Sequence, residues 1–365
     1  MKSNELTLPE QYDILLQQKS AHISQLFLPF SMPPPTIYPS KKQHYRMRAE
    51  FRIWHQNNRI HYAMFDPADK KPYFLKQFPA ASEAINQLMP VLEETLNQQT
   101  ILKKKLFQVE FLSSQTGSVL VTLIYHRNLD EQWKAAASAL QEKFNIHIIG
   151  RSRKQRIVLS KDFIYESFNV DGKKLIYRQY ENSFSQPNAM MNEKMLTWVH
   201  GVTRSIAKKS DLVELYCGNG NFTCVMAANF HRVLATEIAK VSVKAARYNL
   251  AANQLNNVEI VRMSSEEFSS ALKRERLFRR LSHLNLDDYN FSTIFVDPPR
   301  SGLDTNTLTL VQQFEQIIYI SCNPETLKNN LEQLTQSHDV AQFAIFDQFP
   351  YTSHTECGVF LTKKC

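Results

Sequence analysis

The stretch that most restricts the fold is residues 211–230. Five mostly apolar residues, Asp211-Leu-Val-Glu-Leu215, lead into a loop with Gly218 and Gly220, and a helical run begins at Phe222. A short apolar run, a glycine loop and a helical pattern in that order make a strand, turn and helix unit whose strand is buried. Glycine allows close approach of backbone to a ligand, and it is scarce here, with 8 in 365 residues. The loop is therefore a candidate nucleotide cradle. A dinucleotide fingerprint needs a third small residue where helix meets strand, and this chain has Thr223 there instead.

A second predicted strand, residues 232–236, delivers Glu237 nineteen residues after Gly218. A carboxylate at that spacing can accept from both hydroxyls of a ribose. Together these features disfavour a dehydrogenase and favour S-adenosylmethionine as the cofactor. Further strands are predicted near 258–262, 293–297 and 316–321 with helical stretches between them, and residues 343–349 and 358–361 fit an antiparallel closing pair. The expected fold class is α/β, a class I methyltransferase sheet of the doubly wound, Rossmann-like kind, with ligands at the carboxyl ends of its strands.

A length of 365 residues suggests two domains. We place an α+β RNA-binding domain at 1–180 and the methyltransferase domain at 181–365. Residues 1–180 hold 25 Lys and Arg against 16 Asp and Glu, whereas residues 181–365 hold 18 against 19. A basic half beside a near-neutral one predicts a polyanion-binding domain joined to a catalytic one. The first half opens with helical spacing over 9–27 and a linker containing Pro29 and Pro33 to Pro35. In the strand predicted at 44–54, Arg46, Arg48, Arg52 and Trp54 share one face. Arginine forks suit phosphates and aromatics suit bases, so these four are candidate RNA contacts, with Lys104, Phe107, Arg151 and Arg153 from two later basic clusters. Strands are also predicted at 107–112, 118–125 and 146–149, and a helix at 131–144.

No apolar run approaches the length of a membrane span, so a soluble cytoplasmic protein is expected, with no membrane contact and no obligate protein partner. The five cysteines, Cys217, Cys224, Cys322, Cys357 and Cys365, show no paired close spacing, which argues against disulfides, a metal site or an iron-sulfur cluster.

Two motifs carry chemistry. Asp297-Pro-Pro-Arg-Ser-Gly302 places a carboxylate and a guanidinium on one rigid loop after the fourth strand. Ser321-Cys-Asn-Pro324 sets Cys322 between the fifth strand and a helix, where a helix N-terminus and Arg300 are expected to lower the thiol pKa. With Glu181-Asn-Ser-Phe-Ser-Gln-Pro-Asn188, Glu214-Leu-Tyr-Cys-Gly-Asn-Gly-Asn221, His354-Thr-Glu-Cys-Gly358 and residues 44–54, these motifs resemble the RNA 5-methyluridine methyltransferases, in particular the branch that modifies uridine 54 of the tRNA T-loop.

The resemblance implies that Gln186, Tyr216, Asn221, Glu237 and Asp297 contact S-adenosylmethionine beside Gly218, that Cys322 is the nucleophile and that Glu356 is the base. It also implies tRNA, and T-loop mimics such as tmRNA, as substrates. Carbon 5 of uracil is a weak nucleophile, so a thiolate must first add to carbon 6, and a base must later remove the carbon 5 proton. Arg300 is a candidate for stabilising charge on the ring. A stacked T-loop base must also be extruded. Alternatives are an rRNA 5-methyluridine enzyme, an RNA 5-methylcytidine enzyme, and a cofactor-binding tRNA chaperone. The absence of any cysteine before Cys217 disfavours the rRNA enzymes that carry an iron-sulfur site.

Overall fold

The computed structural model describes residues 8–66, 69–206 and 210–364. The chain begins with helix α1 (Tyr12–Leu26) and a short strand, β1 (Thr36–Tyr38). A seven-stranded sheet follows, formed by β2 (Arg48–Gln56), β3 (Arg59–Phe65), β4 (Pro72–Leu75), β5 (Leu106–Ser113), β6 (Val119–Tyr125), β7 (His147–Ser152) and β8 (Gln155–Val158), in the order β4-β3-β2-β5-β6-β7-β8. Helices α2 (Glu83–Gln98), α3 (Thr100–Lys103) and α4 (Glu131–Phe144) accompany it. Phe51, Tyr62, Val109, Leu123 and Trp133 lie in its core. The hairpin β9 (Phe163–Val170) and β10 (Lys173–Tyr180) then leads into helix α5 (Ala189–Arg204).

The second sheet contains β11 (Asp211–Leu215), β12 (Val233–Thr236), β13 (Val258–Val261), β14 (Phe291–Val296), β15 (Gln316–Ser321), β16 (His338–Phe346) and β17 (Glu356–Lys363). Its helices are α6 (Thr223–Met226), α7 (Lys240–Ala252), α8 (Ser265–Leu272), α9 (Thr305–Val311) and α10 (Pro324–Leu334). The order is β1-β16-β17-β15-β14-β11-β12-β13, with β17 antiparallel to both its neighbours. Burial on both faces explains the unbroken apolar runs. Along β11 and β15, Leu212, Ile318 and Ile320 face one core, while Val213, Ile317 and Tyr319 face the other. The doubly wound class expected from the sequence is the one observed.

The division at residue 180 needs correction at the start of the chain. Strand β1 adds parallel to β16 at the edge of the second sheet, and Ile23 and Phe27 of the α1 region enter a core shared with Leu331 and Phe343. Helical spacing marks a buried face but does not say which distant surface covers it. Cys365 lies outside the described residues.

Candidate active site

One cavity of about 590 Å3 opens at the carboxyl ends of β11, β12, β14 and β15. Gln186, Tyr216, Gly218, Asn221, Glu237, Asp297, Arg300, Cys322 and Glu356 all line it. The reason is topological. Strand β17 runs antiparallel to β15, so its first residue lies at the same end as the last residue of β15, and Ser321 is in register with Cys357. Cys322 and Glu356 are the next residue beyond that pair on each strand.

The glycine loop is held from two sides. Tyr216 takes a left-handed conformation at φ +61°, which costs a non-glycine residue about 1 kcal/mol or more. Its hydroxyl donates to Ser265 Oγ at 2.8 Å. Gly220, at φ +77°, lies so close to α7 that an added Cβ would be 3.4 Å from Ala246, whereas a Cβ at Gly218 would meet nothing within 4 Å. The Gly218 face is therefore the one open to a ligand. Glu237 accepts from Gly218 N–H at 3.0 Å and from Ala239 N–H at 2.6 Å. Two backbone bonds orient the carboxylate, and each oxygen retains capacity for a further donor. A second cleft of about 380 Å3, lined by Ile238, Met263, Ser264 and Leu303, shares Tyr216, Glu237 and Pro299 with the main cavity. The Glu237 carboxylate is placed to accept from the hydroxyls of a ribose, and the adjoining cleft offers apolar and hydroxyl side chains for a base, which fits the chemistry of S-adenosylmethionine.

Two cofactor candidates have protein partners already. Asn221 and Asn192 exchange side-chain hydrogen bonds of 2.8 and 2.9 Å, and Gln186 Oε1 accepts from Gln348 Nε2 at 2.6 Å. Asn192, Gln348, Phe184 and Phe349 belong to the site or its support and were not identified from the sequence. Phe184 lies within the Glu181–Asn188 motif and Asn192 just after it, but nothing in the local pattern around Phe349 signals chemistry.

The family model for tRNA (Uracil-5-)-methyltransferase matches residues 11–364. The chain belongs to this family. The tRNA/tmRNA (uracil-C(5))-methyltransferase of Cellvibrio japonicus is 54% identical over 353 residues, covering 97% of this chain and 96% of its own. The protein of the same description from Vibrio atlanticus is 51% identical over 363 residues, covering 98% of each. Among solved structures, Pyrococcus abyssi tRNA (uracil-54, C5)-methyltransferase, in complex with S-adenosyl-L-homocysteine, superposes with a TM-score of 0.71 at 20% identity. It covers 96% of this chain and 83% of its own, and the likeness shows the fold.

The site electrostatics of this family member differ from the expectation for the thiol. Burial pushes Cys322 up to about 11, the nearby Glu356 and Asp297 carboxylates add to that shift, and Arg300 opposes it. The expected lowering is overturned because negative neighbours and desolvation outweigh one cation. Arg300 Nη2 lies 3.1 and 3.2 Å from the two ring nitrogens of His354, so its guanidinium sits against the imidazole. Burial also raises Glu356 to about 8, with Asp297 adding and Arg300 opposing, and raises Asp297 to about 7. Among the described residues, Glu356 Oε2 is a buried acceptor without a hydrogen-bond partner.

The row of phosphate-facing arginines is shorter than expected. Arg48 is directed inward and donates to the carbonyl oxygens of Tyr180, Glu181 and Ser183 and to Ser185 Oγ, at 2.6 to 3.1 Å. Arg46 Nε donates to Arg48 O, and burial lowers the Arg46 pKa. Arg151 pairs with the buried Glu181 at 2.6 Å. Alternation predicted a shared face, but where the two halves of the protein meet, that face is covered. Arg52 remains exposed and lies 4.0 Å over the Phe107 ring, which itself stacks on His126 at 4.0 Å. Trp54 is 40% exposed, and Lys104 and Arg153 are exposed. His126 extends the surface and was missed, since a lone histidine at a strand end carries no pattern. Among the described residues, no group of three or more His, Cys, Asp or Glu side chains is arranged to hold a metal, and no helix is long and apolar enough to cross a membrane.

Proposed function

We propose that this protein methylates carbon 5 of uridine in tRNA with S-adenosylmethionine as donor, and that its target is uridine 54 of the T-loop. The observation that carries this reading is the single cavity in which Cys322 and Glu356 face the groups expected to hold the cofactor. Glu237, Gly218 and Tyr216 would hold the ribose side of the cofactor, and Gln186, Asn221 and Asp297 the rest. When bound, S-adenosylmethionine supplies an electrophilic methyl group to carbon 5.

The chain's own residues do the remaining chemistry. Cys322 Sγ, as thiolate, forms a bond to carbon 6, and the ring double-bond electrons move to carbon 5 and the carbonyl oxygen. After carbon 5 carries the methyl group, Glu356 removes its proton. The released electron pair restores the ring double bond and expels Cys322. Arg300 lines the same cavity, where a guanidinium can stabilise charge on the uracil oxygen or hold a phosphate.

The Arg52, Phe107 and His126 stack offers a cation and aromatic faces of the kind that bind unstacked RNA. Relatives described as acting on tRNA and tmRNA support including T-loop RNAs other than tRNA as substrates, and a cytoplasmic location belongs to the same reading.

The test is a pair of trapped species. Cys322→Ala should bind tRNA and cofactor but neither methylate nor form a denaturant-resistant complex. Glu356→Gln should accumulate a protein–RNA adduct on denaturing gels, as should the wild type with T-loop RNA containing 5-fluorouridine. Methylation by Cys322→Ala, or no adduct from either trap, would overturn the mechanism. Nucleoside mass spectrometry showing the methyl group away from the T-loop would overturn the target.

A further inference from the structure

The nine residues between β16 and β17, 347–355, close a loop immediately before Glu356. Strand pairing anchors its base, since Phe346 is in register with Glu356. Its interior is held by a residue more than 300 positions away. Lys19, on α1, donates to Asp347 Oδ1 at 2.6 Å, to the Phe349 carbonyl at 3.0 Å and to the His354 carbonyl at 3.1 Å. An ammonium has three N–H donors, and all three are used within this loop, at its start, middle and end.

The Lys19 and Asp347 side chains are 10% and 1% exposed, so the pair is not an ordinary surface bridge. Tyr12, about two turns earlier on the same face of α1, donates a 2.9 Å bond to the other Asp347 oxygen. Polar ties of this kind are costly to bury unless fully satisfied, and here Asp347 accepts from both Lys19 and Tyr12 while Lys19 also holds two loop carbonyls.

The tied segment serves the reacting groups. Phe349 lines the active-site cavity, His354 contacts Arg300, and Glu356 is two residues beyond the last carbonyl that Lys19 holds. We propose that Lys19 is a positioning residue for this loop, holding Phe349 and Glu356 in the geometry needed to remove the carbon 5 proton. The proposal rests on the assignment of Glu356 as base. Helix α1 thereby takes part in catalysis through the loop rather than only covering one face of the sheet.

The experiment uses the full chain with three variants: Lys19→Arg, the charge-neutral double variant Lys19→Met with Asp347→Asn, and Glu356→Gln as reference. The double variant removes both charges, so no unpaired carboxylate is left buried. T-loop RNA containing 5-fluorouridine counts competent thiols, so that rates are expressed per competent site and any unfolded fraction drops out. In the double variant, kcat per competent site should fall by about tenfold or more, while the KM values for tRNA and for S-adenosylmethionine stay within about threefold. Adduct on ordinary uridine RNA should accumulate, as with Glu356→Gln, and Lys19→Arg should recover most of the rate.

A per-site kcat within about twofold of wild type would overturn the proposal, and so would a tenfold loss without adduct where Glu356→Gln does accumulate it. If Glu356→Gln turns over normally, the base assignment is what fails. The role of Lys19 is then judged on per-site kcat and its recovery in Lys19→Arg.

Discussion

Cys322 and Glu356 stand side by side, each one residue beyond the register pair Ser321 and Cys357 on the antiparallel strands β15 and β17. Burial and the Glu356 carboxylate push the Cys322 thiol up, whereas Glu356 is itself held up by its own burial and by Asp297.

The first prediction concerns pH. Thiolate and carboxylate are the reactive forms, and burial holds Cys322 up to about 11 and Glu356 up to about 8. Adduct formation should therefore rise with pH towards about 11, and turnover, which also needs ionised Glu356, should rise most steeply through about pH 8. Stability has the opposite sign. Glu356 and Asp297 keep protons in the folded state that the unfolded chain loses near its ordinary carboxylate values. Their contribution is full below those values and lost as pH rises through about 8 and about 7. Thermal melts of the ligand-free protein should shift downward from about pH 5 to about pH 8, and Glu356→Gln should flatten that trend. A melting temperature that rises across the window would contradict the buried-acid account.

Arg48 makes the second case. Its guanidinium ties β2 to residues 180–185, and Ser183 and Ser185 line the cavity. Arg48→Ala should lower unfolding stability by about 2–4 kcal/mol, as expected for loss of several charge-assisted hydrogen bonds whose effects do not simply add. It should also weaken cofactor binding, while leaving the salt dependence of tRNA binding unchanged. Denaturant titration, calorimetry and binding across a salt series measure the three effects. A shallower salt slope would return Arg48 to the RNA surface.

At the exposed stack the expectation is reversed. Arg52→Ala should leave stability almost unchanged and make the salt slope of tRNA binding shallower by about one phosphate equivalent. Phe107→Ala should cost about 1–3 kcal/mol of tRNA affinity through lost stacking, without altering the slope. Filter binding at several salt concentrations separates the charge from the ring. If both variants bind as the wild type does, RNA lies elsewhere.

Glu237 provides the fourth test. Glu237→Ala removes the carboxylate that Gly218 and Ala239 N–H groups orient at the end of β12. Cofactor affinity should fall by about 2 kcal/mol, with tRNA affinity retained. Calorimetry giving an unchanged cofactor affinity would remove Glu237 from the site.

The sequence by itself determined the central sheet, the glycine loop and the side chains that the site brings together. Apolar runs of strand length, each followed by Gly218, Glu237, Asp297 or Cys322, are local patterns, and a doubly wound sheet brings strand ends together whatever the details of packing. Tertiary structure alone decided which charges are free. Arg48 and Arg52 are four residues apart on one strand and chemically identical, yet one is enclosed by residues 180–185 and the other lies in the open against Phe107. The Cys322 pKa likewise depends on Glu356 and Asp297, whose distance in space is unrelated to their distance in sequence. The attachment of α1 and β1 to the far sheet, and the hold of Lys19 on the 347–355 loop, follow the same rule. Periodicity records that a face is buried, whereas desolvation and Coulomb energy depend on what buries it.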